Sequence, residues 1–256
     1  MASKKRRGKR KDDRVRIAIL VTIMNNSDNL IVRDVPVTST IVEFDDDSLA
    51  IIDTGMAGNP DLLEQLDDMG YKPSDFSLVI NTHLHPDHIG GNCHFKNARV
   101  IISRKEFAYY QSFEGSSLAS GRKPAVSATT MVHEMQNIRK KYKVFELVGR
   151  SDQIEYLENN PPLPPGVKLI SAPGHSIDDH AVILHGRTRN AMATGDALYH
   201  RDLWRGPSLS DIHLNEELFR ASAHRLSEFQ GIIIPGHDFA FDNATETYLK
   251  IQKFDI

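Results

Sequence analysis

Ten residues, Thr82-His83-Leu84-His85-Pro86-Asp87-His88-Ile89-Gly90-Gly91, restrict this chain more than any other stretch. Between positions 83 and 88, three imidazoles and one carboxylate crowd into a single turn. Polar groups packed that closely lose hydration without gaining partners, and a bound cation removes the conflict. The apolar run Leu78-Val79-Ile80 just before them reads as a buried strand, which places the cluster on a loop at a strand end. Read alone, it is a metal-binding loop, against the bland alternative of a chance cluster on a solvated loop. Cys93 is the chain's one cysteine, so an intramolecular disulfide and a cysteine-rich zinc ribbon are both excluded. Any metal here sits on imidazole and carboxylate.

Three more candidate ligands stand at the ends of three separate apolar strands. Leu169-Ile170-Ser171-Ala172-Pro173-Gly174 leads to His175, Ala191-Met192-Ala193-Thr194-Gly195 to Asp196, and Ile232-Ile233-Ile234-Pro235-Gly236 to His237. Each follows a glycine, which lets the backbone turn sharply at the rim of a sheet. Each alone reads equally as a polar cap; together with the 83–88 cluster they read as one site.

The order of elements fits a single domain built on two sheets. Strands are expected over 15–24, 37–45 and 48–52, the last stopping at Asp53-Thr54-Gly55. A helix follows, with Asn59 as cap, Pro60 at its first position, an apolar stripe of Leu62, Leu63, Leu66 and Met69, and Gly70 as its stop. Strands over 78–81 and 99–103 precede a helix starting near Lys105. Residues 111–128, rich in Ser, Gly and Ala, read as a mobile loop, and 128–142 as a second helix. Strands over 167–171, 180–185 and 190–194 come next. A helix over 215–229 presents Leu218, Phe219 and Leu226 on one side. A strand over 232–234 and a closing helix over 243–253 end the pattern.

Charge is uneven. Residues 1–13 carry seven Lys and Arg against Asp12 and Asp13, a net of +5 in a chain of −3, which leaves −8 on the rest. An acidic body argues against a broad nucleic-acid-binding face. The tail, residues 1–14, reads as a disordered end, with contact to phosphate or an acidic surface as the alternative. A basic stretch followed by Ile17-Ala18-Ile19-Leu20 has the outline of a signal peptide, but Asp12-Asp13 and the absence of a small-residue cleavage site count against it. No run is long enough for a membrane span. With a single cysteine, the expectation is a cytoplasmic protein.

The 82–91 motif, Pro-Gly-His175, Gly-Asp196, Pro-Gly-His237 and the earlier Asp53-Thr54-Gly55 together resemble the metallo-β-lactamase-fold hydrolase superfamily. The resemblance covers about residues 35–240. It implies an α+β fold, a four-layer αββα sandwich over 15–256, with a two-metal site at one edge of the paired sheets. It further implies that His83, His85 and His175 hold one ion, that Asp87, His88 and His237 hold the second, and that Asp196 bridges them. Two divalent metal ions are the implied cofactors, zinc first, with iron and manganese compatible with the same donors. Asp53 reads either as an orienting residue behind the His-rich loop or as a plain turn cap.

Asp196-Ala197-Leu198-Tyr199 is similar to the N-acyl-homoserine lactonase branch of that superfamily, in which the tyrosine faces the substrate carbonyl. The resemblance then implies a lactone-opening enzyme with Asp87 and Tyr199 as its catalytic residues and a small-molecule substrate. Tyr199 as a core or rim aromatic is the alternative. A phosphodiesterase acting on RNA or DNA, or a glyoxalase II-like thioester hydrolase, are the rival activities. A homodimer is left open. The chain departs from the lactonase pattern in a longer His88–His175 interval, with the excess over 111–141, and in Asp179, which stands where a second histidine is common. His94, His133, His185 and His224 read as surface residues. His180, His200 and His213 lie nearer the expected site. Trp204 and Phe239 read as apolar pocket walls or as core, and Cys93 as a small buried packing residue.

Overall fold

Along the first strand, β1 (Arg16–Met24), Ile17 and Ile19 enter one apolar cluster while Ala18 and Leu20 enter another, and all four are buried. A strand covered on both faces lies inside a layered structure, because successive side chains point to opposite sides of a sheet. The strands β9 (Asn190–Gly195) and β10 (Ile232–Pro235) repeat the pattern. Ala191, Ala193, Ile232 and Ile234 share the cluster of Ile17, and Met192 and Ile233 face the other way. The computed structural model describes residues 15–24, 34–115, 144–204 and 213–256, with the backbone alone at 112–115, 144–145 and 203–204.

Two sheets follow from this. The first runs β13-β1-β2-β3-β4-β5-β6, where β2 is Val35–Glu43, β3 Leu49–Ile52, β4 Phe76–Ile80, β5 Arg99–Ile102, β6 Ile154–Tyr156 and β13 Lys253–Asp255. The second runs β12-β11-β10-β9-β8-β7, where β7 is Val167–Ser171, β8 His180–His185, β11 Phe241–Asp242 and β12 Thr247–Tyr248. The Ile17 cluster fills the space between them. Helices α1 (Asp61–Asp68), α2 (Pro86–Ile89), α3 (Arg104–Gly115) and α4 (Val144–Val148) cover the outer face of the first sheet, through Leu62, Leu66, Ile89, Tyr110 and Val148. Helix α5 (Glu216–Ser227) covers the second sheet through Leu226. This is the expected αββα sandwich.

Strands β3, β4 and β5 are mutually parallel, and so are β9 and β10. Parallel strands deliver the loops at their carboxyl ends to one edge, where α/β-type sheets place their ligands. The sheets are joined there by backbone bonds: His180 N–H donates to the Thr82 carbonyl (2.9 Å) and Thr38 N–H to the Gly236 carbonyl (2.8 Å).

Several expectations are corrected. The closing helix expected over 243–253 is absent; that segment carries β12 and leads into β13. Asp242 Oδ1 accepts the N–H groups of Ala244 (2.9 Å) and Thr245 (3.1 Å), so a turn captures donors that a helix would need. The chain then pairs Phe254 opposite Ile17 and buries Phe254 and Ile256 between the sheets. Leu218 does not join Phe219 and Leu226 inside; it is 46% exposed near the start of α5. Cys93 is exposed, and Phe95 fills the buried position nearby. Helix α3 continues to Gly115, past the expected loop start at 111. Strand β6 has only three residues, too few to show a periodicity in the sequence. The tail 1–14, the helix expected over 128–142, His133 and the side chain of Trp204 lie outside the described residues. Among the described residues, no helix is long and apolar enough to cross a membrane.

Candidate metal centre

The ten-residue motif begins where β4 ends. Its backbone makes a tight turn through Pro86 into α2, in which Pro86 takes the first helical position and fits its fixed φ there. Across the gap between the sheets, β9 ends at Gly195. This residue has a positive φ of 50°, and a β-carbon on it would overlap the Thr82 hydroxyl. The strain-free glycine therefore lets Asp196 approach the His-rich loop.

The structure brings all seven sequence-predicted residues together in two adjoining groups. Donor atoms of His83, His85, His175 and Asp196 lie within 4.8 Å of one another, and so do those of Asp87, His88 and His237. Asp196 reaches both. Its Oδ2 lies 3.1 Å from His175 Nε2 and 3.2 Å from His237 Nε2, and its Oδ1 lies 3.2 Å from His88 Nε2. Asp87 Oδ2 stands 3.5 Å from His237 Nε2 and 3.7 Å from His88 Nε2.

The donor set fits divalent metal ions. His83 Nε2, His88 Nε2 and Asp196 Oδ1 are buried without a hydrogen-bond partner. Each such atom costs about 1–3 kcal/mol in an apolar interior unless something replaces its water. His175 Nε2 and His85 Nδ1 are 2.9 Å apart, closer than two lone pairs tolerate without a proton or a cation between them. The electrostatics agree. Burial and the neighbouring His88 hold His83 well below the usual imidazole range. Burial also opposes charge on His88, yet Asp196, Asp87 and Asp53 outweigh it and hold its proton far above the ordinary value. Burial likewise opposes charge on His175 and His237, and Asp196 reverses the sign in both. Asp196 is pushed up by burial but held well below the usual carboxylate range by His237, His88 and His175. The site draws positive charge to its centre.

Other residues fix these donors. Asp53 ends β3 with a left-handed φ of 56° and accepts from Thr82 N (2.9 Å), Thr82 Oγ1 (2.8 Å) and His88 Nδ1 (2.9 Å). It therefore orients the loop and is more than a turn cap. His237 Nδ1 donates to the Pro36 carbonyl (2.7 Å), which leaves Nε2 for the centre. Asp238 ties the next loop down by accepting from Arg201 N and Tyr248 Oη, both at 2.9 Å.

Tyr199 is buried, with its hydroxyl unpartnered, and its ring is stacked on Phe219 at 6.0 Å between centroids. Burial, and then the Asp196 charge, raise its phenol above the ordinary value, so it stays protonated. His213 also stacks on Phe219, with 5.6 Å between centroids. His180 Nδ1 donates to the Asp178 carbonyl (2.7 Å), and His200 Nδ1 accepts from Asp202 N (3.2 Å). His94, His185 and His224 are exposed, as expected of surface residues. Phe239 is 56% exposed and meets Tyr248 edge-on, which makes it a rim residue and not core.

Sequence reasoning missed the carboxylates behind His175. Glu106 is fully buried in α3 and accepts from Ser176 Oγ (2.6 Å) and Asp178 N (2.8 Å). Asp178 accepts from Ser103 Oγ (2.6 Å) and Lys105 Nζ (3.1 Å). Burial pushes Asp179 up to about 7, and its Oδ1 lies 3.8 Å from His83 Nδ1. The Asp178-Asp179 pair beside an expected ligand was the visible signal, whereas Glu106 reads in sequence as an ordinary solvated helix residue.

Residues 32–256 match the family profile described as the metallo-beta-lactamase superfamily. The chain belongs to that superfamily. An N-acyl homoserine lactonase from Bacillus cereus is 26% identical over 185 residues, which span 70% of this chain and 63% of that lactonase. Among solved structures, the hydrolase AbOPH of the beta lactamase superfamily superimposes with a TM-score of 0.63 at 18% identity, covering 90% of this chain and 88% of that one. AidC, a dizinc quorum-quenching lactonase in complex with the product N-hexanoyl-L-homoserine, gives a TM-score of 0.61 at 18% identity, with 87% and 86% covered. At such identities the two structures speak for the fold of the superfamily alone.

Proposed function

We propose that this chain is a dinuclear metal-dependent hydrolase that opens lactone rings, with N-acyl-homoserine lactones as the first substrate class to test. The observation that carries the dinuclear reading is Asp196, one carboxylate whose two oxygens each lie about hydrogen-bond distance from imidazoles of different groups. The lactone reading is supported by Tyr199 and by the Bacillus cereus relative. His83, His85 and His175 would hold one ion, Asp87, His88 and His237 the other, with Asp196 shared. Zinc suits these donors, and so do iron and manganese.

When bound, the ion pair supplies Lewis acidity and a water of lowered pKa. The chain's own groups do the rest. Tyr199 Oη, kept protonated, offers a hydrogen bond to the carbonyl oxygen as negative charge develops on it. The Phe219 stack holds that ring still. Asp87 has the more open carboxylate of the set, with 15% of its side chain exposed against 4% for Asp196. Its oxygen not turned to His88 and His237 is the place for the proton taken from water and returned to the departing ring oxygen. One water is consumed, the ring C–O bond breaks, and a hydroxy acid results.

The test is a panel assay of purified, metal-analysed protein on lactones, phosphodiesters and thioesters. Acid release from lactones is expected, and His83→Ala or Asp196→Ala should remove bound metal and hydrolysis together. Turnover of phosphodiesters alone would reject the lactone reading. Full activity in a metal-depleted Asp196→Ala protein would reject the mechanism.

A further inference from the structure

Behind the two groups, a single hydroxyl connects them. Thr82 Oγ1 lies 2.8 Å from Asp53 Oδ2 and 3.1 Å from His83 Nδ1. Asp53 Oδ2 also lies 2.9 Å from His88 Nδ1. A carboxylate only accepts, so the Thr82 hydroxyl gives its one proton to Asp53 and must accept at His83, whose Nδ1 then carries the hydrogen. His88 Nδ1–H donates to the same Asp53 oxygen from the other side. The line of bonds therefore runs from His83 through Thr82 and Asp53 to His88. In the neutral form that a metal ligand must take, both imidazoles present a bare Nε2 toward the centre, and both of these nitrogens are buried without a hydrogen-bond partner. His83 belongs to one group and His88 to the other.

Nothing in this line is free to turn away. Asp53, Thr82, His83 and His88 are all buried. Thr82 N–H donates to Asp53 Oδ1 (2.9 Å), the Thr82 carbonyl accepts from His180 N (2.9 Å), and Gly195 closes over the hydroxyl. Asp179 Oδ1, 3.8 Å from His83 Nδ1, is beyond hydrogen-bond reach, which leaves Thr82 as the partner.

We infer that Thr82 is a positioning residue that couples the two metal groups, fixing the His83 tautomer through the same carboxylate that fixes His88. The inference rests on reading both groups as metal sites, and it goes beyond the ligand roles proposed above. Its consequence is specific. A change at Asp53, which touches no donor of the His83 group, is felt in that group through Thr82.

The test uses His237→Ala as the parent, so that titration with Zn2+ or Co2+ reads the His83 group alone. Thr82→Val should weaken that affinity about 10–100-fold, the usual effect of losing an orienting partner of a ligand. Thr82→Ser, which keeps the hydroxyl, should restore it. Asp53→Asn should weaken it too, with no further loss once Thr82 is Val, as coupled residues behave in a double-mutant cycle. An unchanged affinity in Asp53→Asn, or effects that add in full, would overturn the proposal. Long-range 1H–15N spectra of the folded, metal-free native protein give a second reading, independent of any variant. The His83 proton is expected on Nδ1, and finding it on Nε2 would also overturn the proposal. A parent that binds no metal would remove the metal-site reading and this proposal together, whereas failure to open lactones leaves both standing.

Discussion

Replacing Asp53 by asparagine changes one charge and almost no volume, so its effect isolates what the carboxylate does. Asp53 accepts three hydrogen bonds, from Thr82 N, Thr82 Oγ1 and His88 Nδ1. An amide offers one oxygen and one NH2 in the same space. The oxygen can keep the Thr82 N–H, but the NH2 then faces two donors. His88 must either lose its partner or move its proton to Nε2, the atom aimed at Asp196. The first outcome forfeits a bond to a charged group, worth about 1.5–3 kcal/mol. In a domain of this size that lowers Tm by roughly 3–12 °C. The second blocks a metal ligand outright. Either way the Asp87, His88 and His237 group should bind its ion about 10–100-fold more weakly, or about 1.4–2.7 kcal/mol. Competition against a chelator of known affinity, with a thermal melt of each metal-free protein, measures both quantities. An Asp53→Asn protein that binds two ions with native affinities would refute the tautomer argument, whatever its melting temperature.

The remaining predictions test other parts of the site and fold. Tyr199→Phe should lower lactone turnover by about 10²–10³-fold, as for loss of one oxyanion donor, with a smaller loss on any phosphodiester; equal losses would remove its carbonyl role. Metal removal should lower Tm by roughly 10–20 °C, because two ions each at a hundredfold excess over Kd would stabilise the folded state by about 5 kcal/mol; a chelator that leaves the melt unchanged would contradict this. Tyr248 donates to Asp238, and burial with that bond pushes its phenol up to about 12. Folding therefore favours the protonated form, and its contribution is complete below the ordinary tyrosine value of about 10 and lost as pH rises towards 12. Urea midpoints of native protein and Tyr248→Phe should converge over that range, and a gap that persists unchanged across it would refute the assignment.

How much of this was legible in the sequence follows from range. The strands β1, β4 and β10 were readable because burial writes itself as unbroken runs of Ile, Val, Ala and Leu, and β9 because Ala191, Met192 and Ala193 end at a glycine turn. The closing segment was not, because its decisive interaction is local and polar. Asp242 takes the amides of residues 244 and 245, and the alternation of Phe254 and Ile256 is too short to outweigh a helix reading. Leu218 misled for the opposite reason: its spacing fits the apolar stripe of Leu226, but it stands in the first turn of α5, where it is left exposed.

The donors themselves were legible because metal ligation needs particular residue types at strand ends, and those types are scarce. What holds the donors in place is not scarce. Thr82, Pro36, Glu106 and Gly195 act through a hydroxyl, a carbonyl, a buried acid and the absence of a β-carbon, and each is common in any chain. Their roles exist only once two sheets are docked, since Thr82 comes from the first and Gly195 and His180 from the second. The same docking assembles each group from both sheets: His83 and His85 with His175 and Asp196, and Asp87 and His88 with His237. An ion in either group therefore ties one sheet to the other, so the residues that set the chemistry also close the sandwich at its open edge.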